Sequence, residues 1–344
     1  MPHKPPSWWF PSGRDDSFFA RALHPLGLLY GELVKLRWRA QTPYCSSLPV
    51  ICIGNFVAGG AGKTPLAIAV ANRLKDWGET PYFLSRGYGG RNSGPHFVQP
   101  DQDLAADVGD EPLLLARHAP TVIAHDRKAG ALFIEQQSAT IIVMDDGFQN
   151  PSLAKDLSLI AVDSQQGLGN KKIIPAGPLR APLAFQREKA DAIIVLGDHS
   201  QNALRRLADA MTGLPVISGR IVPHGDTEWL SGSKIIAFAG IGRPEKFFTT
   251  LRELDAEIAS AHAFPDHHVY SDDDATRLLT LAAEMELPLV TTEKDWVRML
   301  GRTGPVGALR DQTRTVAIEI TLEQASENQL DQLIKNALRA KKAA

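Results

Sequence analysis

One stretch limits the possible folds more than any other. The β-branched run Val50–Ile53 leads directly into GNFVAGGAGKTP and then into an apolar, helix-length segment, Thr64–Trp77. A strand, a glycine loop and a helix opening on Lys-Thr form a phosphate cradle. Glycines let backbone N–H groups converge on an anion, and the helix N-terminus favours negative charge there. In such a loop Lys63 reaches the β- and γ-phosphates and the Thr64 hydroxyl ligates Mg²⁺. One position departs from G-x-x-x-x-G-K-T, because Val57 stands where glycine is expected. Nor is this the lysine-bearing variant of partitioning ATPases, since Ala58 precedes the paired glycines. A glycine-rich turn capped by Thr64 is the plainer alternative, but it does not require a strand before and a helix after.

Further short β-branched runs recur at Tyr82–Leu84, Val122–Ala124, Ile141–Met144, Leu159–Val162 and Ile193–Leu196. Helix-length segments such as Glu111–His118 and Asp126–Gln137 lie between several of them. Alternation of this kind predicts a mainly parallel sheet with helices on both faces, and ligands at the carboxyl ends of its strands. A second series follows, with strands expected at Ile235–Ala239, Ala256–Ala263, Leu289–Thr291 and Val316–Ile320. Its helices are expected at Pro244–Leu254, Asp272–Met285 and Leu322–Leu338. At about 150 residues per domain, 344 residues suggest two such units. The Gly/Pro-bearing connection Ser218–Ser233 is the expected boundary. The fold class is therefore α/β: a P-loop NTPase-type domain over 46–225 and a smaller α/β domain over 226–344.

Residues 1–45 differ in character. Six basic residues (Lys4, Arg14, Arg21, Lys35, Arg37, Arg39) face three acidic ones (Asp15, Asp16, Glu32), in a chain of net charge −2. Phe19, Leu23, Leu26, Tyr30, Leu33 and Val34 recur at the spacing of one helical face, and Pro25 kinks or divides the helix. Trp8, Trp9, Phe10 and Trp38 sit among basic residues, a mixture suited to a lipid headgroup interface. Such a stripe can equally pack against the body of the protein, and one helix can do both.

Composition removes several classes. With 44% hydrophobic and 22% charged residues, the chain is neither disordered nor fibrous. Its near-balanced charge argues against general nucleic-acid binding. Cys45 and Cys52 cannot build a disulfide framework or a zinc knuckle, which suits a reducing, cytoplasmic setting. The longest segment without Asp, Glu, Lys or Arg, Ala40–Gly62, is broken by prolines, polar residues and four glycines, so a transmembrane helix is not expected. The first sixteen residues lack the continuous apolar core of a secretory signal.

Four clusters add chemistry. Thr140–Met144 ends in Asp145-Asp146-Gly147, where paired carboxylates suit Mg²⁺ or its waters, although Asp-Gly is also a common turn pair. Ser85-Arg86-Gly87-Tyr88-Gly89-Gly90 offers a guanidinium beside flexible glycines, suited to phosphate or simply to a surface turn. Gly109-Asp110-Glu111-Pro112 precedes a helix that Asp110 could merely cap. Phe264-Pro265-Asp266-His267-His268 places an imidazole next to a carboxylate, with no further ligands at zinc spacing.

In order, GNFVAGGAGKTP, SRGYGG, GDEP, DDGFQN, PAGPLR, FAGIGRPEKFF, FPDHH and TTEKD resemble the tetraacyldisaccharide 4'-kinase family of lipid A biosynthesis, from about Val50 to Asp295. The resemblance implies transfer of the ATP γ-phosphoryl group to the 4'-hydroxyl of an acylated glucosamine disaccharide 1-phosphate. It also implies Mg²⁺ and a peripheral site on the cytoplasmic face of the bacterial inner membrane. It places ATP on Val57, Ala58, Gly59, Gly60, Ala61, Gly62, Lys63 and Thr64, and the metal on Thr64, Asp145 and Asp146. Asp110 and His267 correspond to the pair that removes the proton, and Arg86 to an active-site arginine. One departure is visible: Asn150 occupies a position that is often histidine in the family's DDG-x-Q-H.

Phosphoryl transfer needs these parts together, because positioning and charge neutralisation dominate a loose transition state. Lys63, Mg²⁺ and Arg86 would neutralise phosphates while Asp110, helped by His267, accepts the hydroxyl proton. Asp110 falls in the first unit and His267 in the second, so closure is expected to complete the site. The rival readings are a P-loop switch ATPase or GTPase with water as acceptor, and a lipid-phosphate binding module without chemistry.

Overall fold

The structure is a computed structural model and describes residues 5–11, 17–197, 207–209 and 211–343. Lys4, Arg14, Asp15 and Asp16, counted in the N-terminal charge, lie outside the described residues. Twelve strands are described: β1 (Val50–Gly54), β2 (Pro81–Ser85), β3 (His96–Phe97), β4 (Thr121–Ile123), β5 (Ile141–Asp145), β6 (Leu157–Asp163), β7 (Ala192–Leu196), β8 (Val216–His224), β9 (Lys234–Ala239), β10 (Glu257–Ala263), β11 (Leu289–Thr292) and β12 (Thr313–Leu322). They form one sheet in the order β10-β9-β11-β12-β8-β7-β6-β1-β5-β2-β4-β3.

The strand that feeds the glycine loop, β1, pairs in parallel with β5 and β6 at the centre of the first half. Both of its faces are buried, which explains why it reads as an unbroken apolar run. Ile51 and Ile53 face the helix Lys63–Asp76 through Leu66, Val70 and Leu74, while Val50 and Cys52 face the other layer, which includes Ala131 and Ile134. The second half repeats the scheme on a smaller scale. Ile235 and Ala237 pack on Phe247, Phe248 and Leu251, and Ile236 and Phe238 on Ala275, Leu278 and Leu309.

The expected strands are present with ends shifted by a few residues, and two more were not expected. β3 is a two-residue antiparallel edge on β4. The larger difference is β8, which runs through Val216–His224, where glycine and proline suggested a connection. Gly219 lets β12 approach closely: a Cβ there would sit 2.6 Å from Leu322 Cδ2. β12 itself changes partner along its length. Thr313–Val316 pair in parallel with β11, and Ala317–Leu322 pair antiparallel with β8. The two halves of the sheet are thus joined by a two-stranded ribbon. The last helix, Gln324–Ala343, starts two residues later than expected because Leu322 belongs to β12. Although the 225/226 division puts it in the second unit, its Leu330, Ile334 and Leu338 pack into the core of the first, beside Leu66 and Val70.

At the N-terminus the periodic segment divides at Leu23 into helices Phe18–Ala22 and His24–Arg39, with Pro25 in the first turn of the second. Proline lacks only an N–H that is unpaired in a first turn anyway. The docking face of the long helix is made of glycine: a Cβ on Gly27 would lie 2.7 Å from the Ile173 carbonyl, and one on Gly31 2.8 Å from Ile173 Cδ1. The greasy stripe points the other way. Phe18, Phe19, Leu26, Leu29, Tyr30, Leu33 and Leu36 are all exposed.

Candidate active site

Beyond β1 the chain enters the glycine loop, and the neighbouring PAGPLR segment braces it. Ala58 N donates to the Pro178 carbonyl (2.8 Å), Arg180 N to the Phe56 carbonyl (2.9 Å) and Arg180 Nε to the Val57 carbonyl (3.2 Å). Val57 forms an antiparallel bridge with Leu179 and buries its side chain in the core. This accounts for the departure from the glycine pattern: the residue faces hydrophobic neighbours, so only its backbone is free to serve a nucleotide. Ala61 is likewise in the core.

Gly59 and Gly60 have no heavy atom within 4 Å of a built Cβ, which leaves open room above the loop. Gly62 has φ +82 and caps the helix Lys63–Asp76, whose first turn receives no side-chain cap. The free N–H groups of that turn therefore point at the open space, the arrangement that binds phosphate.

Lys63 and Thr64 meet the paired acids. Lys63 Nζ lies 3.8 Å from Asp146 Oδ2, and Thr64 Oγ1 donates to Asp145 Oδ2 at 3.3 Å. Asp145 is 1% exposed and its Oδ1 has no hydrogen-bond partner. Burial pushes its carboxyl up to about 7, helped by the nearby charges of Glu111 and Asp146. A lone buried carboxylate oxygen beside a threonine hydroxyl fits a hard, oxygen-seeking cation. Among the described residues no three His, Cys, Asp or Glu side chains form a metal cage. Asp146 adopts φ +49, turning its carboxylate toward Lys63 and Arg180 (3.2 Å). Burial alone would raise it, but those two cations hold it below the usual carboxylate range.

Asp110 opens the helix Asp110–Ala116 as its first residue, with Gly109 in the cap position. Among the described residues its Oδ1 accepts only the adjacent Glu111 N–H (3.0 Å), whereas Oδ2 faces the second half of the molecule. There it meets His267 Nδ1 at 3.0 Å and Arg298 Nε at 2.8 Å. Burial works against ionisation of Asp110, yet the His267 hydrogen bond, Lys294 and Arg298 hold its carboxyl well below the ordinary range. Lys294 pairs with Glu111 at 2.7 Å, and both also act electrostatically on Asp145. The ring of Tyr88, from the SRGYGG loop, lies 5.8 Å from that of His267.

Arg86 follows β2, is exposed, and makes no hydrogen bond or ion pair among the described residues. Beneath it, buried Arg127 donates to the Ser85 and Ala124 carbonyls, tying the ends of β2 and β4 together. The side chain of Asn150 is engaged by Ser152, whose N and Oγ donate to it at 2.9 and 2.7 Å. Arg180, Lys294 and Arg298 were not singled out from sequence, although PAGPLR ends in Arg180, TTEKD contains Lys294 and Arg298 lies three residues beyond it. The i, i+4 spacing of Lys294 and Arg298 was the available signal that both cations share one helical face.

A further ionic cluster joins the two halves elsewhere. Asp163, at the end of β6 and mostly buried, is bound by Arg243 and by Lys246 (2.7 Å) from the FAGIGRPEKFF segment.

The chain matches the family model described as tetraacyldisaccharide-1-P 4'-kinase over residues 19–339. A tetraacyldisaccharide 4'-kinase of Methylorubrum extorquens is 47% identical over 337 residues, 97% of this chain and 98% of its own. One of Methylobacterium nodulans is 50% identical over 296 residues, 86% of this chain and 87% of its own. Among solved structures, LpxK from Aquifex aeolicus in complex with ATP superposes with a TM-score of 0.75 at 27% identity, covering 93% of this chain and all of that one.

Proposed function

The chain belongs to the tetraacyldisaccharide-1-P 4'-kinase family and is an ATP-dependent lipid kinase; from that premise we propose how its own residues carry out the transfer. The reaction moves the γ-phosphoryl group of ATP to the 4'-hydroxyl of a tetraacylated glucosamine disaccharide 1-phosphate in lipid A biosynthesis. Family membership leaves no room for the switch-ATPase alternative.

The observation that carries the mechanism is the Asp110–His267 contact between the two halves. Backbone N–H groups of Gly59–Thr64 cradle the ATP phosphates, because the Ala58 N–H is already taken by the Pro178 carbonyl, and Lys63 and Arg86 neutralise their charge. Thr64, Asp145 and Asp146 would hold Mg²⁺, which when bound supplies further neutralisation of the phosphate oxygens. Exposure divides the roles within the pair. Asp110 is 6% exposed and its Oδ2 is held by His267 and Arg298, whereas the His267 side chain is 32% exposed. Ionised Asp110 therefore fixes Nδ1–H of His267, and Nε2 takes the hydroxyl proton as the 4'-oxygen bonds to phosphorus and ADP leaves. General-base help of this kind is worth about 10²–10⁴-fold.

Residues 46–225 carry the nucleotide and the unit beginning at 226 closes over it, flexing at the β8–β12 ribbon. Closure excludes water, the competing acceptor. No helix among the described residues is long and apolar enough to cross a membrane. The exposed stripe of residues 18–36, with Arg21, Lys35, Arg37 and Arg39 nearby, instead suits a peripheral site on the cytoplasmic face of the inner membrane, where the acyl chains of the substrate are buried.

The test is transfer from labelled ATP to an acylated glucosamine disaccharide 1-phosphate in detergent micelles. Lys63→Ala and Asp110→Ala are both expected to lose product, with ATP binding retained in Asp110→Ala alone. Full turnover by Asp110→Ala would overturn the proposed pair.

A further inference from the structure

We propose that Arg298 is a positioning residue for this transfer: a single guanidinium holds both members of the Asp110–His267 pair in register. The inference rests on the proton-acceptor reading above and adds the part that aligns it.

Arg298 follows the short helix Glu293–Val297, and its side chain is 4% exposed. Nε donates to Asp110 Oδ2 at 2.8 Å, and Nη2 lies 2.7 Å from the same oxygen as an ion pair without a hydrogen bond of its own. Nη1 donates at 2.6 Å to the Gly240 carbonyl and at 2.6 Å to Asp295 Oδ1. The same Gly240 carbonyl accepts the main-chain N–H of His267 at 3.1 Å. One planar group therefore anchors the carboxylate of Asp110 directly and the backbone of His267 through one shared oxygen.

Fully buried Asp295 locks the guanidinium in turn. Besides Arg298 it accepts from Gly240 N (3.0 Å), Tyr270 Oη (2.9 Å) and Thr292 Oγ1 (2.7 Å). Gly240 lies close under this carboxylate, since a Cβ there would be 3.0 Å from Asp295 Oδ1. The parallel contact between Lys294 and Glu111 keeps the two helices from sliding past each other.

The anchoring has a purpose because His267 adopts φ +57, a left-handed conformation that a non-glycine residue holds only when its surroundings enforce it. Lysine could supply the charge of Arg298 but not the fork that spans Asp110 and Gly240 at once. Misplacing a reacting group by about 1 Å can cost on the order of 10²-fold in rate.

The experiment compares the parent with Arg298→Lys, Tyr270→Phe and His267→Gln, recording kcat, KM for ATP and the unfolding temperature. Arg298→Lys is expected to lower kcat on the order of 10²-fold while KM for ATP stays within about twofold, because the glycine loop is untouched. Tyr270→Phe removes one donor to Asp295 with little change of shape and is expected to lower kcat a few-fold, with KM for ATP unchanged and a modest fall in unfolding temperature. It carries the test if Arg298→Lys does not fold. Turnover of Arg298→Lys within about threefold of the parent would overturn the proposal. So would a parallel loss of kcat, ATP affinity and unfolding temperature, which marks general loosening. Active His267→Gln would instead remove the proton-acceptor reading itself, whereas inactive His267→Gln with normal Arg298→Lys and Tyr270→Phe would remove only the positioning role.

Discussion

His267 Nδ1 lies 3.0 Å from Asp110 Oδ2, although 157 positions of sequence separate the two residues. The contact joins a loop of the second half to the first residue of a helix in the first half, so neither residue can form the pair within its own half. Replacing His267 by Gln keeps a donor for Asp110 and removes the titrating ring. A fall in kcat of about 10²–10⁴-fold is expected, with KM for ATP little changed. Steady-state kinetics showing a loss of less than about tenfold would move the proton acceptor to another group.

The depressed pKa of Asp110 carries a stability consequence. Its folded-state carboxyl titrates below the ordinary value of 3.8, held there by His267, Lys294 and Arg298 against the opposing effect of burial. At pH above 3.8 both states have lost the proton and the stabilisation is fully present. As pH falls below that value, the unfolded chain binds the proton first and the stabilisation is lost. Denaturant unfolding of the parent and of Asp110→Asn should therefore differ by a constant amount from neutral pH down to the ordinary carboxylate range, and converge below it. A difference that stays constant through acid would show that Asp110 is not held ionised by its neighbours.

The exposed stripe on the N-terminal helices predicts binding to vesicles of anionic phospholipid. Fully burying one leucine side chain is worth about 1.5–3 kcal/mol, so changing Leu26, Leu29 and Leu33 together to Ser should weaken binding by at least about 100-fold. All three side chains are exposed, so the unfolding temperature should barely move. Vesicle sedimentation with undiminished binding would assign the stripe to another partner.

Val57 gives a prediction that runs against the motif. Restoring glycine there would match the usual phosphate loop, yet the side chain is 5% exposed and packed in the core. Val57→Gly is expected to cost about 2–4 kcal/mol, from lost burial, a residual cavity and a freer unfolded backbone. ATP affinity should not improve. Calorimetry that found no loss of stability would mean the Val57–Leu179 bridge contributes little.

Local patterns carried much of this molecule into view. Val50–Ile53 reads as a buried strand because both faces of β1 are covered, and the break at Leu23 is legible because Pro25 fits only an opening turn. Lys63, Thr64, Asp145 and Asp146 could be singled out as candidates because they follow or end the adjacent strands β1 and β5, each pair marked by its own short motif, and the fold brings the two pairs together. β8 escaped for the opposite reason. Gly219 and Pro223 are loop residues by local preference, and it is the partner strand β12 that makes an extended ribbon of them.

Hydrophobic period and glycine spacing act over a few residues, so the order of elements and the residue types of the site were written into the chain. Which face of the N-terminal helix docks, where the last helix packs, and that Arg298 joins Asp110 to Gly240 were settled by packing between segments far apart in sequence. Arg298 in particular looks like an ordinary surface cation until its three acceptors, Asp110, Gly240 and Asp295, converge on it from three different loops and helices. A buried guanidinium is tolerated only where every such partner is in place, and that condition belongs to the assembled fold.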